Sequence, residues 1–278
     1  MFDFIPKLPV AEWVDKIVEW ITSTFAFIFN PIREDFGDFM SWIADFLDNI
    51  PVAIVILVVV VGAFFITGRK FGLAIFSLIG LLFVYNQGLW TEFMSTFTLV
   101  LIASLLSIII GVPIGILMSK SRTVEAIMLP TLDFMQTMPA FVYLIPAVVF
   151  FSIGMVPGVF ASLIFATPPT VRFTNLAIRQ VSTELIEAAE AFGSTGFQRL
   201  FKVELPMAKT TIMAGINQTV MLSLSMVVIA SMIGAPGLGR PVISALQRAQ
   251  AGPGFVAGVS IVILAIIMDR FTQSLYKK

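Results

Sequence analysis

Between Glu187 and Pro206 the chain reads EAAEAFGSTGFQRLFKVELP, a polar, helix-forming island set between long apolar segments. Its residue types suit recognition rather than bond-making. Glu187 offers a carboxylate near the first turn of a helix, where the helix dipole favours negative charge. Ala188 and Ala189 leave room for a partner's surface to approach the backbone. Leu185, Ala188, Ala189 and Phe192 share one helical stripe, and Gly193 follows where a left-handed cap ends a helix without steric cost. Thr195 and Gln198 have capping-box spacing and open a second helix, whose end is marked by Leu205-Pro206. The expected product is a short helix-turn-helix that works as a binding knob.

Catalysis is not expected. The chain has no cysteine and no histidine, which removes disulfides, thiolate and imidazole metal sites, and the side chain most used as a general acid or base. No catalytic residue, metal or cofactor is therefore assigned. The net charge is zero, and no Gly-rich Lys-Ser/Thr phosphate loop occurs. Nucleic acid is not an expected partner, and any ATP must be bound by another subunit.

The elements that position the knob are membrane helices. Hydrophobic residues make up 58% of the chain and charged residues 12%, and the mean hydropathy is strongly positive, a balance outside that of soluble domains. A bilayer core of about 30 Å takes about 20 apolar residues in a helix. That ruler finds seven spans, at about 51–67, 71–87, 93–118, 138–156, 158–178, 209–233 and 254–271. The first two are short. Pro168-Pro169 interrupts the fifth and places it in a packed position, where neighbouring groups can satisfy the freed carbonyls. Gly111 and Gly115 present a small-residue face to another helix, and Asn217 with Gln218 suits hydrogen bonding between helices.

Residues 1–50 lack the basic start, uninterrupted apolar core and cleavage site of a signal peptide. They read as an amphipathic tail of two helices lying in the membrane interface or against the bundle, with Trp13, Val14, Ile17 and Ile21 on one apolar face. Asn30-Pro31 breaks the pattern, which resumes at Phe36, Phe39, Met40 and Ile43. Orientation follows from the loops. With the Glu187 loop inside, twelve lysines and arginines lie inside, among them Arg69, Lys70, Lys120, Arg122 and Arg179. Five lie outside, beside nine acidic residues in the first fifty. Basic loops stay cytoplasmic, so the N-terminus is expected outside and the C-terminus inside.

Glu187-Ala188-Ala189, Gly193, and then Val203, Leu205 and Pro206 resemble the EAA loop of ABC-importer permeases, Val203 standing where isoleucine is usual. QTMPAFVYLIPAVVFF from Gln136, PPTVRFTNLAIRQV from Pro168, LSMVVIASMIGAPGLG from Leu224 and DRFTQ from Asp269 resemble the glycine betaine/proline betaine branch of that family. The resemblance runs from about residue 90 to the end. It implies an all-α polytopic membrane protein of the type I ABC importer fold, with about seven transmembrane helices after the amphipathic tail. On this reading, residues 51–90 are two accessory helices, 91–272 the permease domain with its EAA loop at 183–206, and 273–278 a cytoplasmic C-terminus. It further implies a permease homodimer in the bacterial plasma membrane, a cytoplasmic ABC ATPase, and an extracytoplasmic substrate-binding protein, separate or fused. Glu187, Ala188, Ala189 and Gly193 then couple to the ATPase, and Leu205 and Pro206 terminate the loop.

The alternative from another class is a secondary transporter or channel working without an ATPase, which would place ionisable residues in the membrane. The cores of the seven spans carry no Asp, Glu, Lys or Arg; Arg172 and Asp269 are edge residues. Quaternary ammonium groups are held by aromatic cages, each face worth about 0.5–2 kcal/mol. Trp13, Trp20, Trp42 and Trp90 all lie in the tail or at a membrane edge, and Tyr143 is the one Trp or Tyr deep in a span. Solute specificity is therefore expected to belong to the binding protein.

Overall fold

The computed structural model describes residues 9–274. The chain opens with α1 (Val10–Thr24), α2 (Ala26–Asn49) and the hairpin α3 (Val52–Ile66) and α4 (Phe71–Asn86). Next come α5 (Trp90–Lys120), α6 (Arg122–Thr137), a 3-10 turn Ala140–Tyr143 leading into α7 (Leu144–Phe151), and α8 (Met155–Arg179). The polar island forms α9 (Thr183–Ala191) and α10 (Gly196–Arg199), and a π turn, Leu200–Glu204, joins it to α11 (Leu205–Ala230). α12 (Gly239–Gln247) and α13 (Ala251–Ser274) complete the fold.

Two X-Pro steps make corners in the chain. The residue before proline is pushed out of the α region by the pyrrolidine ring, and Ile50 and Met138 are extended, with ψ of 130° and 133°. The chain turns by 91° between α2 and α3, and by 107° between α6 and α7. The expected span at 138–156 is thus a broken one, with a helical run over Ala140–Phe151 and its last two residues already in α8.

Among the described residues three helical rods are long and apolar enough to cross a membrane alone: α5, the continuous run Gly196–Ile233, and α13; counting each bent pair as one span raises this to five. The expected seven exceed that number for physical reasons. α3 and α4 have 15 and 16 residues, short of the roughly 20 that span the core. α8 carries Pro168, Pro169 and Arg172, but 16 of its 25 residues are buried, so neighbouring helices screen it from lipid.

Helix directions follow from close contacts. Leu99 meets Gly158 at one end of the α5–α8 pair and Gly115 meets Thr174 at the other, so these helices run parallel. α11 runs antiparallel to both, with Gly215 against Phe173 and Ala230 against Gly158. α8 is therefore clasped between glycine faces of α5 and α11. Its two prolines do not interrupt it. Hydroxyls serve the carbonyls near them: Thr167 donates to Leu163 O at 2.6 Å and Thr219 to Ala166 O at 2.8 Å.

The hairpin of α3 and α4 meets the bundle at α13, with Gly62 against Phe271 and Gly80 against Ile263. Ile56, Leu81 and Val84 share one hydrophobic cluster with Leu99, Val227 and Leu264. α2 seals that cluster with Met40, fully buried, and with Phe29, which stacks on Phe150 at 4.8 Å between ring centroids. The expected break at Asn30-Pro31 is absent. α1 ends at Thr24, Phe25 joins it to α2, and Pro31 lies within α2. Pro31 falls early in α2, where the carbonyl that loses its donor belongs to exposed Phe27 and can turn to solvent.

Candidate functional site

Apolar packing seats the loop. Ile186 of α9, with Leu200 and Leu205, packs onto Ala177, Ile178, Ala208 and Ile212, leaving the rest of α9 to project from the bundle. α9 begins at Thr183, so Glu184 occupies its first turn and Glu187 its second, a step later than expected. Glu187 and Ala188 are exposed and Ala189 is half-buried. The stripe expected through Leu185 and Phe192 faces outward, with those side chains 42% and 92% exposed.

The turn after α9 has a complete local hydrogen-bond set. Gly193 has φ of 79°. Its N–H donates to Glu190 O at 2.8 Å, and Ser194 N–H donates to Ala189 O at 3.0 Å, the crossed pair of a Schellman cap. Thr195 Oγ1 then accepts from Gln198 N at 3.3 Å and Thr195 N–H donates to Gln198 Oε1 at 3.0 Å. That is the capping box read from the sequence. Beyond it Phe197 and Phe201 pair at 4.4 Å between centroids, and both are exposed. The knob thus presents the carboxylates of Glu184, Glu187 and Glu190, small side chains and three phenylalanines around a capped turn.

Leu205 and Pro206 do not end a helix. The N–H of Leu205 donates to Leu200 O, five residues back, so the rod widens by one residue and runs on as α11. Proline lacks an amide hydrogen and clashes with the carbonyl four residues earlier in a regular helix; the wider π turn relieves both demands. Loop and transmembrane shaft are therefore one rod. Val203 and Leu205 are half-buried and Pro206 is exposed.

At the base of the knob stands a group absent from the motif spacing. Glu204 is only 1% exposed. Its Oε1 lies 3.0 Å from Arg199 Nε, and its Oε2 accepts a hydrogen bond from Lys120 Nζ at the end of α5. Arg199 also pairs with Glu190 of α9. The signal was present in the sequence: Leu200, Glu204, Ala208 and Ile212 recur every four residues, a buried stripe once the helix is carried through Pro206.

A second cluster ties neighbouring helix ends. Arg179 Nη2 donates to Glu125 Oε2 at 2.7 Å and to Met118 O at 2.9 Å, while its Nε donates to Asn175 Oδ1 at 2.9 Å. Asn175 in turn donates to Glu125 Oε1 at 3.2 Å, and Arg172 pairs with Asp133. Asn217 bonds Asp269 of α13 at 2.9 Å, the contact between helices expected of it, whereas Gln218 is exposed. Tyr143 donates to Met135 O at 2.5 Å and lies against Phe165, so its ring is packed rather than part of an open cage.

A family described as "binding-protein-dependent transport system inner membrane component" matches residues 107–278. The glycine betaine/carnitine transport permease protein GbuB of Listeria monocytogenes is 58% identical, over 99% of this chain and 98% of that one. The glycine betaine transport system permease protein OpuAB of Bacillus subtilis is 51% identical, over 99% and 97%. In structure the chain resembles the inward-facing MetNI methionine ABC transporter, with a TM-score of 0.57 at 24% identity over 65% of this chain and 90% of that one; this likeness establishes the fold. The bundle, its projecting loop and these matches agree: the chain belongs to the family of binding-protein-dependent transport system inner membrane components.

Proposed function

We propose that this chain is the membrane conduit of an ATP-driven importer for glycine betaine or a related quaternary ammonium solute, serving osmoprotection. The observation that carries it is the capped, exposed knob with EAA spacing, built on the same rod as a transmembrane helix. Full-length similarity to permeases named for glycine betaine supports the solute class. The knob fits a groove on a cytoplasmic ABC ATPase, with Glu187, Ala188, Ala189 and Gly193 at the contact. Leu205 and Pro206 act at the π turn that joins the knob to the shaft.

Two copies of the chain form the permease. An extracytoplasmic binding protein, separate or fused, docks on the outer loops, including residues 234–252. Its docking opens the path by favouring one conformational state. The membrane orientation follows from the basic groups, since Lys120, Arg122, Arg179 and Arg199 gather at the knob end of the bundle, which the positive-inside rule makes cytoplasmic. The N-terminus is then outside and the C-terminus inside. The exposed Trp13, Trp20 and Trp42 of α1 and α2 suit contact with lipid at the outer interface.

The test is to purify the permease with its ATPase and binding protein, reconstitute them in liposomes, and measure which solutes stimulate ATP hydrolysis and accumulate. Glycine betaine, choline, carnitine and proline are the set to compare. Accumulation driven by an ion gradient with no ATPase present would replace the importer with a secondary transporter.

A further inference from the structure

We propose that Glu204 is the joint through which the loop drives the inner end of α5, a positioning residue for coupled transport at a position between Val203 and Leu205 that the EAA motif does not specify. The proposal deepens the importer reading and rests on it. The two oxygens of this buried carboxylate are divided between cations of different elements, Oε1 facing Arg199 of the loop and Oε2 facing Lys120 of α5. Through the pairing of Arg199 with Glu190, one alternating chain of charges links α9, α10, the shaft and α5.

Burial gives that chain its mechanical sense. A carboxylate withdrawn from water and stripped of a cation is strongly unfavourable. The loop therefore cannot tilt away from α5 without exposing Glu204 or carrying Lys120 with it. The π turn is the irregular point of the rod, and Arg199 and Glu204 stand at its two ends. Their ion pair bridges the place where the loop would otherwise bend independently of the shaft.

The motion then has a defined route. α5 is in backbone-close contact with α8 at Gly111 and Gly115, so displacement of its inner end passes to the most buried helix of the bundle. Arg179 strengthens the same junction by bonding Met118 O, two residues before Lys120. Movement of the loop reaches α8 both along α11 and through α5, and two routes to one helix favour rigid-body motion over local bending.

The complete complex, with its ATPase and binding protein in liposomes, provides the test. Glu204→Gln, Lys120→Met and the double variant are compared for solute accumulated per ATP hydrolysed and for copurification of the ATPase. Each single variant is expected to lower that ratio by about ten-fold, within the range by which residues remote from both ligands shift coupling, while the ATPase still copurifies. The double variant should be no worse than the poorer single one, because both remove the same link. Lys120→Met leaves Glu204 paired with Arg199, so it decides the matter if Glu204→Gln does not assemble. A wild-type ratio in the single variants, or losses that multiply in the double variant, would overturn the joint. Loss of ATP-driven uptake in the unaltered complex would overturn the importer reading itself.

Discussion

Gly115 of α5 lies so close to Thr174 of α8 that a β-carbon at position 115 would sit 2.6 Å from Thr174 Cβ and 2.7 Å from the carbonyl oxygen of Val171. Backbone on one side and a β-branched residue on the other leave no flexible group to give way. Gly115→Ala should therefore force α5 and α8 apart and destabilise the protein by about 1–3 kcal/mol, the usual range for overpacking a core. Thermal unfolding in detergent measures it. Gly258→Ala is the control, because a β-carbon there meets nothing within 4 Å; equal losses at both positions would refute the clasp.

Gly193 is tight for a different reason. Nothing lies within 4 Å of a β-carbon built on it, but its φ is 79°, so any penalty comes from the backbone alone. For a residue with a β-carbon the left-handed region costs about 1–2 kcal/mol, with asparagine the best tolerated substitute. Gly193→Val should abolish transport-coupled ATP hydrolysis while leaving membrane insertion intact, and Gly193→Asn should retain most of it. Normal coupling in the valine variant would remove the loop from the lever role.

Since the chain contains no cysteine, single cysteines report orientation without background. Ser23→Cys on α1 should react with a membrane-impermeant maleimide in intact cells. Thr123→Cys at the start of α6 should react only after permeabilisation. Both sites are exposed in the fold. The reverse pattern would invert the proposed topology.

The permease alone should bind glycine betaine negligibly. Tyr143 is packed, and Trp13, Trp20, Trp42 and Trp90 lie in α1, α2 and the first turn of α5, which leaves the shaft helices without a tryptophan cage. Weak contacts also suit a conduit, from which solute must leave as readily as it enters. Calorimetry on the purified chain is the measurement. Saturable binding at micromolar betaine with no partner present would contradict this division of labour.

The parts of the fold legible in the sequence are those whose physics is local. Gly193, Thr195 and Gln198 carry their hydrogen-bond geometry within a few residues, and the caps formed where the spacing places them. Gly111 and Gly115 announced a close helix contact, and Asn217 a polar contact between helices. Proline was the misleading sign. Pro31 and Pro206 look like stops, yet an early position in α2 and a π turn let the helices run on. Met138-Pro139 makes a true corner, because there the residue before proline turns extended. Glu204 was hidden twice: by the apparent stop at Pro206, and by a partner 84 residues earlier in the chain.

The π turn at Leu200–Glu204 also fixes an azimuth. It holds one residue more than a regular helical turn would, and one residue of an α-helix corresponds to a rotation of about 100° about the axis. Winding the same residues as a regular α-helix would give a more regular rod, but it would swing the knob and the whole of α9 about that far around the shaft and away from Lys120. The irregularity sets the compass bearing of the knob, and a helix perfected at this point would aim it at the wrong quarter.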